Sequence, residues 1–501
     1  MHTFADPLTR AAQIAGERTA IIADGRRFTH RELQSRCRRL ATVLRSKGAK
    51  PGDRIAVLAA NSNHYIECYM AIPAAGYVIV PLNTRHAEPE LRYAIEDAGA
   101  TMLLSDRDPG ALGEIVDTVV MIPGEFDELI DAADETELGT GITEDSLAGL
   151  FYTGGTTGAS KGVMLTHRNL IANTFHFMTM APPTWDSVFL IMAPLFHAAG
   201  SNGVLSGIWS GSCQIPLRVF DASVALDIIE EHAVTHTLGV PTMIAAITEL
   251  QHAEPRDTSS LQMVAHGGSP IATETVRRAT EAFPTAEFVH VYGMTEGSPL
   301  VTGLRNEQDL LDVDRSRSCG QALIGVQVKI VDGNGNEMPT GEVGELAARG
   351  PNIMKGYWNK PEQTEEVFQD GWYRSGDMGY MDEEGFVFLV DRAKDMIVSG
   401  GENVYCSEVE EALYKHPAVL EAAVFGVPDK AWGEAVHAVV VPRGDVTPED
   451  LIEFCRQHIA GYKLPKAVTL SADELPKSGP GKILKRELRE PFWQGQDRKV
   501  N

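Results

Sequence analysis

The sequence predicts an α/β fold with mostly parallel sheets, and three observations carry that prediction. Helical and strand patterns alternate from the first residues onward. The strand runs are short, apolar and β-rich. The chain, at 501 residues, is long enough for one large domain and a small one. In order along the chain, Arg31 to Ser46 sets Leu33, Cys37, Leu40 and Leu44 at helical spacing. Gly52 and Asp53 then turn into a strand over Arg54 to Leu58, and Val78 to Pro81, Thr101 to Leu104 and Thr118 to Ile122 repeat that pattern. Asp221 or Ser223 is placed to cap a helix that opens at Phe220-Asp221-Ala222-Ser223. Gly385 to Val390 reads as a strand, and a further helix starts at Ser407. The best internal boundary falls at Asp391 to Asp395, which gives an N-terminal domain over 1–393 and a C-terminal domain over 394–501.

Composition narrows the function classes. Hydrophobic residues make up 43% and charged residues 23%, as in an ordinary globular enzyme, and the formal net charge is -25. Such a surface repels phosphate backbones and anionic lipid, so no nucleic acid and no membrane is expected as a partner. A polyanionic ligand would need a locally prepared site. The apolar run Tyr69 to Val80 holds proline and glycine and is too short to span a bilayer. Six cysteines without a CxxC pair favour buried thiols in a reducing compartment, and a cytoplasmic location is expected.

Local chemistry is densest at Phe151-Tyr152-Thr153-Gly154-Gly155-Thr156-Thr157-Gly158-Ala159-Ser160-Lys161-Gly162. Glycines expose N–H groups that can wrap phosphate oxygens, the hydroxyls add donors, and Lys161 adds positive charge. Ser160 precedes the lysine and Gly162 follows it, so the pattern is not a Walker loop. As a surface turn the stretch would need no ligand; the apolar strand before it, Gly149 to Tyr152, favours a phosphate loop.

This loop resembles the signature of the adenylate-forming superfamily, which includes acyl-CoA synthetases, luciferases and peptide-synthetase adenylation domains. The resemblance continues in order through Pro194-Leu195-Phe196-His197, Gly267-Gly268-Ser269-Pro270, Tyr292-Gly293-Met294-Thr295-Glu296, Tyr373-Arg374-Ser375-Gly376-Asp377, Asp391-Arg392 and Pro480-Gly481-Lys482. It implies a large N-terminal domain of two α/β subdomains plus a β-barrel, and a small mobile α+β C-terminal domain. It also implies ATP, Mg²⁺ and coenzyme A as cofactor and co-substrates. The implied ATP and AMP contacts are Thr153, Gly154, Gly155, Thr156, Thr157, Gly158, Lys161, Gly267, Gly268, Ser269, Tyr292, Gly293, Met294, Asp377 and Arg392. Tyr292 would offer its aromatic face to adenine, Asp377 would accept from the ribose hydroxyls, and Thr295 would bond a phosphate or carboxylate oxygen. Glu296 would be the metal ligand, a hard oxygen donor suited to magnesium.

Lys482 resembles the lysine that bridges the attacking carboxylate and the α-phosphate, where a cation stabilises the transition state more than the ground state. His197 would gate the acyl site, and Lys394 would be the hinge of the small domain. Ser399, Gly400, Gly401 and Trp432 resemble the segments that face coenzyme A. Each has a plainer reading: a core histidine, a linker lysine, a core tryptophan. Gly154 stands where the family has serine, Ser160 replaces a proline and leaves the loop less rigid, and Ser375 replaces threonine.

The resemblance implies an acyl-CoA synthetase that activates a carboxylic acid as acyl-AMP with pyrophosphate release, then forms the CoA thioester. An amino-acid adenylation domain is disfavoured because no carrier domain follows Lys482. A non-catalytic nucleotide-binding protein is disfavoured by the retention of Lys482, Glu296 and Asp377 together. The small residues Ala198 to Gly203 leave room behind His197, which points to a medium- or long-chain fatty acid or another bulky hydrophobic acid. An aryl acid of the cinnamate or benzoate kind, or an acceptor other than CoA, remains the alternative, and a homodimer is compatible with the chain.

Overall fold

The helix expected from Arg31 runs His30–Ser46 and is closed at its start by a capping box. The Thr29 hydroxyl accepts the Glu32 N–H at 3.1 Å, and the Glu32 carboxylate accepts the Thr29 N–H at 2.7 Å. Leu33, Cys37, Leu40 and Leu44 are buried along its inner face. Asp221 caps the helix Ala222–His232, its carboxylate accepting the Val224 N–H at 3.0 Å. The computed structural model describes residues 2–153, 160–311, 313–392, 395–399, 402–429, 432–477 and 483–493, without the side chains at 201, 314, 391, 392, 402 and 403.

Two α/β sheets make up most of the large domain. In the seven-stranded sheet, Leu147–Thr153, Val78–Pro81, Arg54–Leu58, Ala100–Ser105 and Thr118–Met121 run parallel in that spatial order. Lys161–Thr166 and Gly356–Tyr357 add antiparallel strands at its first edge. The nine-stranded sheet has a parallel centre: Glu287–Gly293, Met263–Gly267, His236–Gly239, Val188–Ile191, Cys213–Pro216 and Thr19–Ala23. The chain therefore starts in one sheet, builds the other, and returns. Where a barrel is expected, Gln327–Val331, Gly344–Arg349, Phe368–Gln369, Trp372–Met381 and Val387–Arg392 form a five-stranded antiparallel sheet.

The smaller C-terminal domain has its own sheet. Val419–Asp429 pairs antiparallel with Gly433–Pro442, and Ile397–Ser399, Glu402–Val404 and Ala467–Leu470 complete it. Its core gathers Ile397, Val409, Leu413, Val424, Val440 and Leu451. Ion pairs join the two domains: the Glu249 carboxylate accepts Arg443 at 2.8 Å and also holds Arg278, while Arg317 meets Glu411 at 2.8 Å. No helix among the described residues is long and apolar enough to cross a membrane.

His30, His167, His176 and His236 are buried, and burial pushes each imidazole down from 6.5 to about 4. They are neutral in the folded chain but protonate near pH 6.5 once unfolded, so between pH 6.5 and 4 the unfolded state binds more protons. Stability falls as pH is lowered through that window. The melting temperature, followed from pH 7 to 4.5, should decline from about pH 6.5 downward; a profile flat to pH 5 would contradict it.

Candidate active site

The glycine- and threonine-rich loop is rooted in a β-hairpin. Leu147–Thr153 enters it and Lys161–Thr166 leaves it, with Thr153 opposite Lys161 and Tyr152 opposite Gly162. Gly154, Gly155, Thr156, Thr157 and Gly158 lie outside the described residues. The Ser160 hydroxyl donates to the Thr153 carbonyl at 2.6 Å across the base of the loop. The serine read as loosening the loop therefore ties its root, through a bond that proline has no group to make.

Lys161 directs its ammonium at the Tyr357 ring, 4.7 Å from the centroid. Tyr357 pairs backbone to backbone with Val163 and donates its hydroxyl to Glu296 Oε1 at 2.8 Å. Burial and the nearby Glu296 charge raise the Tyr357 phenol far above its ordinary pKa, so it stays a donor. Glu296 itself lies in the single turn Thr295–Gly297, directly beyond the strand Glu287–Gly293 and Met294. Gly293 is required there for space: a Cβ would stand 1.7 Å from the Pro299 carbonyl oxygen.

Tyr292, on the same strand, is buried, and its hydroxyl donates to Asp377 Oδ2 at 2.7 Å. Burial and the Asp377 charge raise this phenol as well. The group read as a platform for adenine thus holds the carboxylate read as the ribose acceptor. The Asp377 N–H donates to Ser375 Oγ at 3.1 Å, and Ser375 donates to the Leu346 carbonyl at 2.8 Å. Glu345 fixes the rest of the turn, accepting from Arg374 Nε at 2.8 Å and from the Gly376 N–H at 2.9 Å. Arg392 occupies the strand position opposite Asp377. Glu296 and Tyr357 share a cleft of about 360 Å³ with Tyr373, Arg374, Ser375 and Gly376.

Gly267 ends a strand parallel to the one that carries Tyr292 and stands beside Val291. A Cβ at Gly267 would come within 2.1 Å of the Val291 carbonyl oxygen, so the glycine serves strand packing first. Gly268 is exposed at φ +83°, and Ser269 is part-buried after it. Both motifs sit at the carboxyl ends of adjacent parallel strands, where open α/β sheets bind ligands.

His197 is part-buried in the stretch between Val188–Ile191 and the helix Gly200–Ser210. Its Nδ1 accepts the Ala199 N–H at 3.3 Å, which leaves Nε2 as the protonated nitrogen. Burial pushes it down to about 4, so near pH 7 it is a neutral donor. Three glycines behind it are closely packed. A Cβ would stand 2.7 Å from the Pro194 carbonyl at Gly200, 3.1 Å from the Phe189 ring at Gly203, and 2.8 Å from the Gln214 side chain at Gly207. Asn202 is buried and its amide is bonded to Asn173. At Gly203 and Gly207 the missing Cβ lets the helix settle onto the strands that carry Phe189 and Gln214.

In the small domain Ser399 is buried and paired with Gly433, next to Trp432. Trp432 is 50% exposed and lies under the Lys466 ammonium, so the core reading of this residue is corrected. Lys482, Lys394, Gly400 and Gly401 lie outside the described residues, as does the Arg392 side chain. Sequence reasoning passed over Tyr357 and Glu345, and it quoted Tyr373 in a motif without giving it a role. The only local signal for Tyr357 was the aromatic pair in Gly356-Tyr357-Trp358, which looks like any buried strand.

Two family descriptions match this chain: AMP-binding enzyme over residues 8–358, and AMP-binding enzyme C-terminal domain over residues 408–482. A feruloyl-CoA synthase from an Amycolatopsis species is 40% identical, over 96% of this chain and 98% of its own length. A fatty acid–[acyl-carrier-protein] ligase of Streptomyces coeruleorubidus is 35% identical, over 96% and 95%. The o-succinylbenzoate CoA synthetase of Bacillus subtilis, solved with its acyl-adenylate intermediate, superposes with a TM-score of 0.87 at 33% identity, over 96% of this chain and 97% of that one. The ordered motifs, the paired sheets and these matches agree, and the chain belongs to the adenylate-forming superfamily of AMP-binding enzymes.

Proposed function

We propose that this chain is an AMP-forming acyl-CoA ligase whose acid is a compact aryl acid of the hydroxycinnamate type. The acid–thiol ligase class accords with the family and with relatives named for joining acids to CoA. The observation that carries the activation step is the cleft shared by Glu296 and Tyr373 to Gly376, with Lys161 and Asp377 anchored through two buried tyrosines. The acid carboxylate attacks the α-phosphate of ATP and pyrophosphate leaves. Lys482 would lie between the two anions, and Asp377 would accept the ribose hydroxyls. His197 would present Nε2–H at the acyl end. The CoA sulfur then attacks the acyl carbon, the bond to AMP breaks, and the thiol proton passes to solvent.

Magnesium fits the donor set. One carboxylate, Glu296, oriented by Tyr357, together with substrate phosphates is a usual magnesium environment. When bound, the ion neutralises charge on the phosphate oxygens. The aryl reading is supported by the close packing at Gly200, Gly203 and Gly207 and by the 40% identity to feruloyl-CoA synthase. A fatty acid, or a carrier-protein acceptor, is the second reading, favoured by the similarity to the carrier-protein ligase.

Pyrophosphate release over a panel of acids, with and without CoA, tests both halves. Ferulate, coumarate or cinnamate should exceed lauric and palmitic acids in kcat/KM by about tenfold or more. Faster turnover of the long-chain acids would sink the aryl reading. Pyrophosphate release with no thioester formed in the presence of CoA would sink the CoA half.

A further inference from the structure

We propose that Asp97 is a positioning residue of the nucleotide site, fixing the root of the phosphate loop and, through Tyr357, the Glu296 carboxylate; this rests on the acid-activation reading. Asp97 lies in the last turn of the helix Glu88–Ala98, and its side chain is 15% exposed. Its Oδ2 accepts the Tyr152 hydroxyl at 2.7 Å. Its Oδ1 accepts Lys360 Nζ at 3.2 Å and the Tyr93 hydroxyl at 3.5 Å. Its backbone carbonyl accepts the Trp358 indole N–H at 3.0 Å. One residue thus holds two stretches that are far apart in sequence.

Both stretches lead directly into the site. Tyr152 immediately precedes Thr153, the last described residue before the loop, and its ring packs where a Cβ on Gly162 would stand 3.0 Å away. The Trp358 N–H donates to the Gly162 carbonyl at 2.8 Å, so the exit of the loop is tied to the same segment. Tyr357, adjacent to Trp358, carries the hydroxyl on Glu296 and the ring under Lys161. Moving Asp97 would therefore shift the loop entry, the loop exit and the Glu296 carboxylate together.

Local stability does not account for this aspartate. A carboxylate in the last turn of a helix faces the negative end of the helix dipole and is unfavourable there. Lys360 offsets that charge, and the hydroxyl of Tyr152, raised well above the ordinary phenol range by burial and by Asp97, remains a donor. The arrangement orders the tyrosine and Lys360 at the expense of the helix end.

The test is the MgATP dissociation constant and the three Michaelis constants of Asp97→Ala, Asp97→Asn and Tyr152→Phe. Asp97→Ala should weaken MgATP and raise KM for ATP by about tenfold, with KM for the acid and for CoA within about twofold. Asp97→Asn, which keeps an acceptor for Tyr152, should recover part of the loss, and Tyr152→Phe should reproduce most of it. A lowered melting temperature with unchanged ATP affinity would overturn the proposal, as would an equal rise in all three KM values. If Asp97→Ala does not fold, Tyr152→Phe decides, and an unchanged KM for ATP there overturns it. A wild-type chain that binds no MgATP sinks the activation reading itself, whereas normal wild-type binding with unaffected variants sinks only the role of Asp97.

Discussion

Replacing Lys482 by alanine is expected to lower the rate of acyl-adenylate formation by roughly two to three orders of magnitude while leaving thioester formation from supplied acyl-adenylate nearly intact. The first step brings a carboxylate onto an α-phosphate, and the repulsion between them peaks in the transition state. A fixed cation there acts as a pre-placed donor does at other developing charges, where removing one costs about 10²–10³ in rate. The second step has a neutral acyl carbon and a thiol, so the same cation contributes little. Pyrophosphate exchange measures the first step, and acyl-adenylate plus CoA measures the second. Equal loss of both would remove the role assigned to Lys482 by its place in Pro480-Gly481-Lys482.

The second large effect is expected from Asp377→Ala. Its carboxylate is proposed to accept charge-assisted bonds from the ribose, each worth about 1.5–3 kcal/mol, so KM for ATP should rise by about a hundredfold. The same change leaves the buried Tyr292 hydroxyl without its 2.7 Å acceptor, a desolvation cost of about 1–3 kcal/mol. The melting temperature should fall along with ATP affinity. Adding Tyr292→Phe removes the stranded hydroxyl and should restore stability without restoring ATP affinity. A KM for ATP that stays within about twofold in Asp377→Ala would end the ribose assignment.

Much of the fold was legible because it is local. The strands Arg54–Leu58 and Val78–Pro81 begin and end where the sequence pattern places them, and Asp221 caps the expected helix. Long-range pairing was not legible. Nothing near Thr19–Ala23 says that it joins Cys213–Pro216, far along the chain. The expected strand from Gly385 starts at Val387 and continues to Arg392, because ladder partners at Asp377 and Met378 extend it.

The site divides in the same way. Motif order singled out the loop, Glu296 and Asp377 as candidates, since those residue types announce their chemistry. The hydroxyls that orient them, on Tyr292 and Tyr357, belong to residues that look like core in any sequence reading. The small run after His197 is a related case: a missing side chain shows in sequence, whereas the Phe189 atoms packed at Gly203 come from another strand.

The six cysteines are all buried thiols. Cys37, Cys68 and Cys319 belong to the core of the large domain, and Cys406 and Cys455 to that of the small one. Burial also raises the thiols of Cys37, Cys68, Cys213, Cys319 and Cys455, Cys319 to about 12 and Cys455 to about 11, so little of their thiolate is present at neutral pH. In the native chain these sulfurs are therefore silent toward alkylating reagents until the surrounding core opens. The protein carries two sets of internal timers, one per domain, and the order in which they are modified reports which half of the molecule breathes first.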